Sequence, residues 1–305
     1  MSVLLSAVTV LSWGTWIPLA QVVAGVPQRS RTLYVTLGNL IVASAALAIG
    51  SGHLSLGWRM FWLPLSGGVV WTIGNLAAFR AIETIGLARA AGTWTPLNIA
   101  TAFVWGAVLF DELAHFGPVR IAVLLAGFVA MSIGVVIVVN STHRQPEENE
   151  QPTNQAGIRR GRDRQRAGLL WALAAGLLWG SYFVPAQWSK TPAHVANFPL
   201  AIGALLAGIV LAATSGERVN MPPRVTTIQV AAGVLFGIGN VALLSLVARV
   251  GTGVGFTIAQ LSLLVNASIG IWVFKVPPPG TRPARIAIAG IVIAGVSGCA
   301  IGALT

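Results

Sequence analysis

Apolar residues occur in ten long runs along the chain, separated by polar connections. A helix needs about 20 apolar residues to cross roughly 30 Å of hydrocarbon, and each run is near that length. The pattern therefore predicts an all-α polytopic membrane protein with ten transmembrane helices. The runs cover residues 2–24, 32–51, 60–81, 87–110, 119–140, 167–188, 194–214, 226–248, 253–275 and 284–304.

One connection, residues 141–166, differs from the others in length and in charge. It is polar, first acidic and then strongly basic, and it has no apolar period. Such a composition is typical of a mobile linker. The linker divides the runs five and five, which predicts a first five-helix repeat at residues 1–140 and a second at 167–305.

The two halves share a pattern of aromatic, glycine and amide residues. Because each half has an odd number of runs, the second half must enter the membrane with the opposite polarity. This predicts an inverted-topology repeat, a common construction of secondary carriers. Trp13, Gly14, Thr15, Trp16, Gln21, Trp71, Gly74, Asn75 and Gly86 match Trp179, Gly180, Ser181, Tyr182, Gln187, Phe236, Gly239, Asn240 and Gly251.

Composition and charge support the membrane assignment and orient it. The chain is 55% hydrophobic and 9% charged, against about 25% charged residues in soluble domains. Its net charge of +11 comes from basic residues in the loops, fifteen on the face that carries the linker and four on the other. The positive-inside rule places the linker in the cytoplasm and both termini outside the inner membrane. We therefore expect a lipid bilayer as surroundings and no nucleic-acid partner.

The sequence contains none of the common enzyme motifs. A GxxxxGK[S/T] phosphate loop, a GxSxG elbow and an HExxH zinc motif are all missing, and Cys299 is the single cysteine. We therefore expect no catalytic residue, no metal site and no cofactor.

Polar and aromatic side chains inside the apolar runs are the candidates for a solute site. Trp94, Asn98, Thr101 and Trp105 are spaced to share one helix face. An unpaired amide in hydrocarbon is costly, so these groups should face a cavity or one another. Aromatic faces with amide and hydroxyl groups suit the C–H face and hydroxyls of a neutral sugar. The predicted substrate-binding residues are Trp13, Trp16, Trp71, Asn75, Trp94, Thr95, Asn98, Trp179, Tyr182, Gln187, Asn240, Gln260 and Asn266.

Charged residues are nearly absent from the middle of the runs, which favours an uncharged solute. Glu83, at the end of the third run, is the best candidate for a proton-coupling carboxylate. The alternative for Glu83 is an interfacial residue that reaches the membrane surface.

Three stretches resemble known transporter families. The segment WGAVLFDELAHFGPVRIAVLLAGFVAMSIGVVIVV resembles the drug/metabolite transporter superfamily, in which a helix ends in an acid, here Glu112, and a Gly-containing helix follows. The second half departs from this pattern with Lys275 in place of the acid. More narrowly, SWGTWIP and GNLAAFRAIETIGLARAAGTWTPLNIATAFVWGAVLFDE resemble the glucose/ribose porter family of bacterial sugar uptake carriers. The resemblance implies sugar uptake and leaves proton coupling open.

The combined prediction is a secondary transporter that moves a small neutral solute, foremost a monosaccharide such as glucose or ribose, by alternating access. Two alternatives stay open: a drug/metabolite-type carrier or exporter of an amino acid or nucleobase, and a non-transporting membrane scaffold or subunit. Trp94, Pro96 and Asn98 have no counterpart in the second half. We therefore expect this asymmetric face to determine the choice of substrate.

Overall fold

The fold is taken from a computed structural model of the 305-residue chain. It describes residues 1–50, 57–114, 116–141, 155–214, 216, 219–275 and 277–303. Within these ranges the side chains of residues 86–89, 91–92, 139–141, 155–162, 298–299 and 302–303 are not described. Linker residues 142–154, the contacts of Gly86 and the side chain of Cys299 thus lie outside the described part of the chain.

Every described element is an α-helix. The helices are α1 (Ser2–Gln21), α2 (Gln28–Gly50), α3 (Trp58–Leu109), α4 (Pro118–Ser141), α5 (Gln155–Trp179), α6 (Val184–Trp188), α7 (Ala193–Ala213), α8 (Pro223–Val250), α9 (Thr252–Ala259), α10 (Ser262–Trp272) and α11 (Arg282–Ala303).

Eight segments of the described chain are long and apolar enough to cross a membrane. The all-helical, multi-pass membrane class predicted from the sequence is therefore confirmed, with eight candidate spans among the described residues. They are Ser2–Gln21, Gln28–Gly50, Trp58–Ile85, Pro118–Val138, Asp163–Trp188, Ala193–Ala213, Pro223–Val250 and Thr252–Trp272.

Helix α3 folds back on itself. It spans 52 residues, but the contacts of its two ends show that the chain reverses direction within it. In a straight helix Trp71 and Trp94 would lie roughly 35 Å apart at about 1.5 Å per residue. Both instead contact Trp179, whose Nε1 donates to the Trp71 carbonyl at 3.3 Å and whose ring lies 5.4 Å from that of Trp94. The two arms of α3 therefore run antiparallel beside α5.

Two of the predicted runs are interrupted. The run 167–188 is divided between α5 and α6 by a turn at 180–183, and the run 253–275 is divided between α9 and α10 at Gln260 and Leu261. Helix α5 also begins earlier than the apolar pattern indicates, because residues 155–166 of the expected linker continue it as helix.

Glycines let α3 and α7 approach until backbone meets backbone. A Cβ atom on Gly68 would overlap the carbonyl oxygen of Leu200, and one on Gly203 would overlap the carbonyl oxygen of Leu65. Small residues of this kind allow close helix packing in a bilayer.

The same arrangement joins α2 to α8. A Cβ on Gly38 would overlap the carbonyl oxygen of Val230, and one on Gly233 would overlap that of Val35. Helices α2, α3, α7 and α8 thus form the tightly packed centre of the bundle, and α4 packs with α11 at its edge.

This packing predicts that Gly68→Ala destabilises the fold. Alanine is the better helix former by about 1 kcal/mol, but overpacking a close contact costs about 1–3 kcal/mol. We expect a lower melting temperature for the detergent-purified protein. Gly57→Ala is the matched control, because nothing lies within 4 Å of a Cβ at Gly57. Equal melting temperatures for the two variants would contradict the assigned contact.

Candidate functional site

A cavity of about 500 Å³ lies at the centre of the bundle. It reaches from the middle of the helices to Gln21 at the end of α1, Val138 near the end of α4 and Phe274 just beyond α10. We call this side the linker face, because α4 and α5 flank the linker there. The opposite side, where the chain begins, is the terminal face. The cavity therefore opens toward the linker face.

Aromatic rings form two walls of this cavity. On one side Phe236 lies 4.7 Å from Trp71, 5.4 Å from Trp16 and 6.0 Å from Trp13 between ring centroids. On the other side Trp94 and Trp179 meet edge to face. Rings in contact hold one another in place, so the walls present rigid apolar faces.

Three buried polar atoms of residues that line the cavity have no hydrogen-bond partner among the described residues: Thr95 Oγ1, Asn98 Oδ1 and Trp13 Nε1. The side chains of Thr95 and Asn98 are 1% and 4% exposed. Leaving such atoms unpaired costs about 1–3 kcal/mol each. A solute with hydroxyl groups would supply the missing donors and acceptors.

Most of the substrate-binding residues predicted from the sequence border the cavity. The structure brings together Trp13, Trp16, Trp71, Trp94, Thr95, Asn98, Trp179, Tyr182, Gln260 and Asn266.

Asn240 lies behind the cavity in a buried hydrogen-bonded chain. Its Oδ1 accepts from the hydroxyl of Tyr182 at 2.7 Å, and its Nδ2 donates to Asn197 Oδ1 at 2.6 Å. Asn197 in turn donates to Asn39 Oδ1 at 3.3 Å. The chain fixes Tyr182, which borders the cavity, to α8, α7 and α2.

Asn75 and Gln187 also lie away from the cavity lining. Asn75 donates to Thr32 Oγ1 at 2.8 Å, and Gln187 Oε1 accepts from Thr252 Oγ1 at 2.6 Å. These residues connect helices to one another.

Glu83 lies outside the cavity as well. Its side chain is 56% exposed and forms an ion pair with Arg80 at 3.4 Å. Its carbonyl oxygen accepts from Arg164 at 3.1 Å, so this end of the first arm of α3 is tied to α5.

Several lining residues were not among the predicted binding residues, including Gln21, Phe236, Phe256 and Ser262. For two of them the repeat carries the signal, since Phe236 is the counterpart of Trp71 and Gln21 that of Gln187. Phe256 and Ser262 become apparent only with the break between α9 and α10, which turns both residues toward the cavity.

The residues described around the cavity are aromatic, aliphatic, amide or hydroxyl in character, and none is charged. Such a lining can bind a solute through hydrogen bonds and ring contacts and has no group suited to balance an ion. A multi-pass helical bundle with a central, uncharged polar cavity open to one face is the architecture of a membrane transporter of neutral solutes.

Comparison with known proteins assigns the family. The model of the sugar transport protein family matches residues 4–304. The glucose uptake protein GlcU of Bacillus subtilis is 25% identical over 96% of this chain and 95% of its own. A Listeria innocua protein named for sugar uptake is 24% identical over 99% and 98% of the two chains. A solved crystal structure has the same fold, with a TM-score of 0.67 and 23% identity over 97% of each chain. The chain belongs to the sugar transport protein family and is a sugar transporter.

The buried amides predict unequal effects on stability. Asn240→Leu would leave the Tyr182 hydroxyl and Asn197 Oδ1 unpaired, which costs about 1–3 kcal/mol for each group. Asn75→Leu is the matched control, because Thr32 keeps its bond to the Gln28 carbonyl at 2.9 Å. Thermal unfolding in detergent should show the larger loss for Asn240→Leu. A larger loss for Asn75→Leu would contradict the assigned network.

Proposed function

We propose that the protein takes up a monosaccharide by alternating access around the central cavity. The sugar lies between the two aromatic walls and pairs its hydroxyls with Thr95, Asn98 and Trp13. The cavity has a volume of about 500 Å³, which is within the usual range for small-molecule sites, about 300–1,000 Å³.

The unpaired polar atoms of Thr95 and Asn98 carry this proposal. Both residues lie on the second arm of α3, and neither atom has a protein partner among the described residues. A lining that combines aromatic rings with amide and hydroxyl groups suits a pyranose or furanose better than a flat, largely apolar solute.

Alternating access requires two similar halves that move around the site, and equivalent contacts at a spacing of 165 residues support such halves. The Asn75–Thr32 hydrogen bond has its counterpart in Asn240–Asn197. We infer ten spans arranged as an inverted five-plus-five repeat, with the second arm of α3 and α11 as the two further spans.

Glycine contacts repeat at nearly the same spacing. A Cβ on Gly74 would overlap the ring of Trp179, and one on Gly239 would overlap the ring of Trp13. Each half thus places the tryptophan of its first span against a glycine of the other half's third span. This reciprocity is what an inverted repeat produces.

The inferred orientation places the linker face in the cytoplasm and both termini outside the inner membrane, because basic residues are concentrated on the linker face. With this orientation the cavity opens to the cytoplasm.

The proposed function predicts saturable sugar exchange. Reconstituted protein should show counterflow of at least one labelled sugar in a panel of glucose, ribose and rhamnose. Thr95→Val and Asn98→Leu each remove one hydrogen-bonding group from the cavity, so we expect KM to rise about five- to tenfold, corresponding to roughly 1 kcal/mol.

Ser44→Ala is the control for removal of a hydroxyl from a span, because Ser44 faces outward and bonds only its own helix at Leu40. It should leave KM unchanged. If no sugar exchanges, or if both cavity variants keep the wild-type KM, the proposed site is wrong.

A further inference from the structure

Helix α9 closes the cavity on the terminal face. All eight of its residues are buried, and it contacts α1, α3, α8 and α11. Phe256 forms part of the cavity wall, whereas Thr252 begins the helix on the terminal face. A solute entering from the terminal face would have to displace this helix, which we call the plug helix.

The carboxylate of Glu112 holds the start of the plug helix. The chain leaves α3 at Leu109 and turns at Asp111, which has a φ of 54°. This turn brings Glu112 over α9, where Oε1 accepts from the N–H of Thr252 and Oε2 from the N–H of Gly253 at 3.1 Å. Both N–H groups belong to the first helical turn and have no acceptor within the helix, and the helix dipole adds positive potential there.

Two glycines make room for this carboxylate. A Cβ on Gly106 or on Gly251 would overlap the Glu112 side chain. Gly251 also has a φ of 91°, which a residue with a side chain rarely adopts. The local backbone is thus shaped to seat Glu112 against the plug helix.

No cation among the described residues pairs with Glu112. The charged groups on the neighbouring elements are Asp111 after α3, Arg120 on α4, Lys190 after α6 and Arg249 on α8, and all four are exposed. Arg120 lies over the ring of Phe116 at 5.7 Å. The charge of Glu112 is therefore stabilised by the two N–H groups and the start of α9.

On the linker face, the second half has a basic residue where the first half has Glu112. Lys275 stands there in place of the acid, and it is exposed. Gln187 further ties α6 to the plug helix by accepting from Thr252 Oγ1 at 2.6 Å, whereas its counterpart Gln21 is exposed at the cavity mouth. The closed terminal face and the open linker face thus differ at two pairs of matched positions: Glu112 with Lys275, and Gln187 with Gln21.

We propose that Glu112 is the proton-binding residue of the transporter, and that its protonation releases the plug helix and opens the cavity to the terminal face. One proton binds the carboxylate, which loses its negative charge and replaces a charge-assisted acceptor with an O–H donor. No other covalent bond changes. The coupling of this step to sugar movement rests on the proposed function, whereas the opening of the gate does not.

Cysteine accessibility tests the gate without any sugar. In a Cys299→Ala background, Thr257→Cys reports on the plug helix and Ala267→Cys on the cavity wall at the linker side. Maleimide labelling in detergent is normalised to the exposed loop position Asn220→Cys. Lowering the pH should raise the relative labelling rate at Thr257→Cys about tenfold and lower that at Ala267→Cys. Unchanged rates, or a parallel rise at both positions, would overturn the proposal.

Charge variants then assign the effect to one carboxylate. Glu112→Gln keeps the size of the side chain but carries no charge, so Thr257→Cys should label fast at every pH. Asp111→Asn is the matched control, because it removes a neighbouring charge and asparagine tolerates a positive φ. It should keep the wild-type pH response. If Glu112→Gln does not fold, the pH response of the wild-type carboxylate still decides the outcome.

Transport assays link the gate to sugar. In proteoliposomes, Glu112→Gln should lose sugar accumulation driven by a proton gradient while keeping counterflow. Loss of the proton-driven component in Glu83→Gln but not in Glu112→Gln would make Glu83 the coupling residue and overturn the proposal. Absence of all sugar flux would count against the proposed function, and the labelling experiment would still decide the role of Glu112.

Discussion

The bilayer offers no water to a buried amide or hydroxyl, and this constraint separates the polar residues of the protein into two groups. One group is hydrogen-bonded within the bundle, as in the chain from Tyr182 through Asn240 and Asn197 to Asn39. The other group, including Thr95 and Asn98, borders the cavity with atoms left unpaired. The first group fixes the positions of the helices, whereas the second has polar atoms without a partner among the described residues.

The two groups are physically connected through Tyr182. Its ring borders the cavity, while its hydroxyl is the first member of the buried chain that crosses α8, α7 and α2. The helices joined in this way include those that pack through glycine at the centre of the bundle. A solute in the cavity would therefore contact Tyr182, which is hydrogen-bonded through the buried chain to α8, α7 and α2.

The sequence was sufficient for the helical membrane class, and most of the binding residues predicted from it border the cavity, because long apolar runs and repeated aromatic positions are local signals. It could not separate Asn98 from Asn240. Both are amides in apolar helices, and only the rotation of each helix decides whether the amide meets the cavity or another helix. The break at 180–183 has a local signal in Gly180 and Pro185, whereas the break at Gln260 has no glycine or proline beside it.

The position of Glu112 was beyond local reasoning for a different reason. Its carboxylate reaches α9 because the chain turns through a positive φ at Asp111 and because two distant glycines leave space. Neither condition produces a periodic pattern. The acid at the end of a helix was visible in the sequence, but its partner, 140 residues further along the chain, was not.

The glycine contacts of α3 with α7 and of α2 with α8 also affect how easily the bundle can change shape. Where Gly68 and Gly203 meet carbonyl oxygens, backbone contacts backbone. When helices tilt against each other at such a backbone contact, few side chains have to change rotamer there. These contacts can hold the helices at a fixed separation while offering little resistance to rotation of one helix against the other.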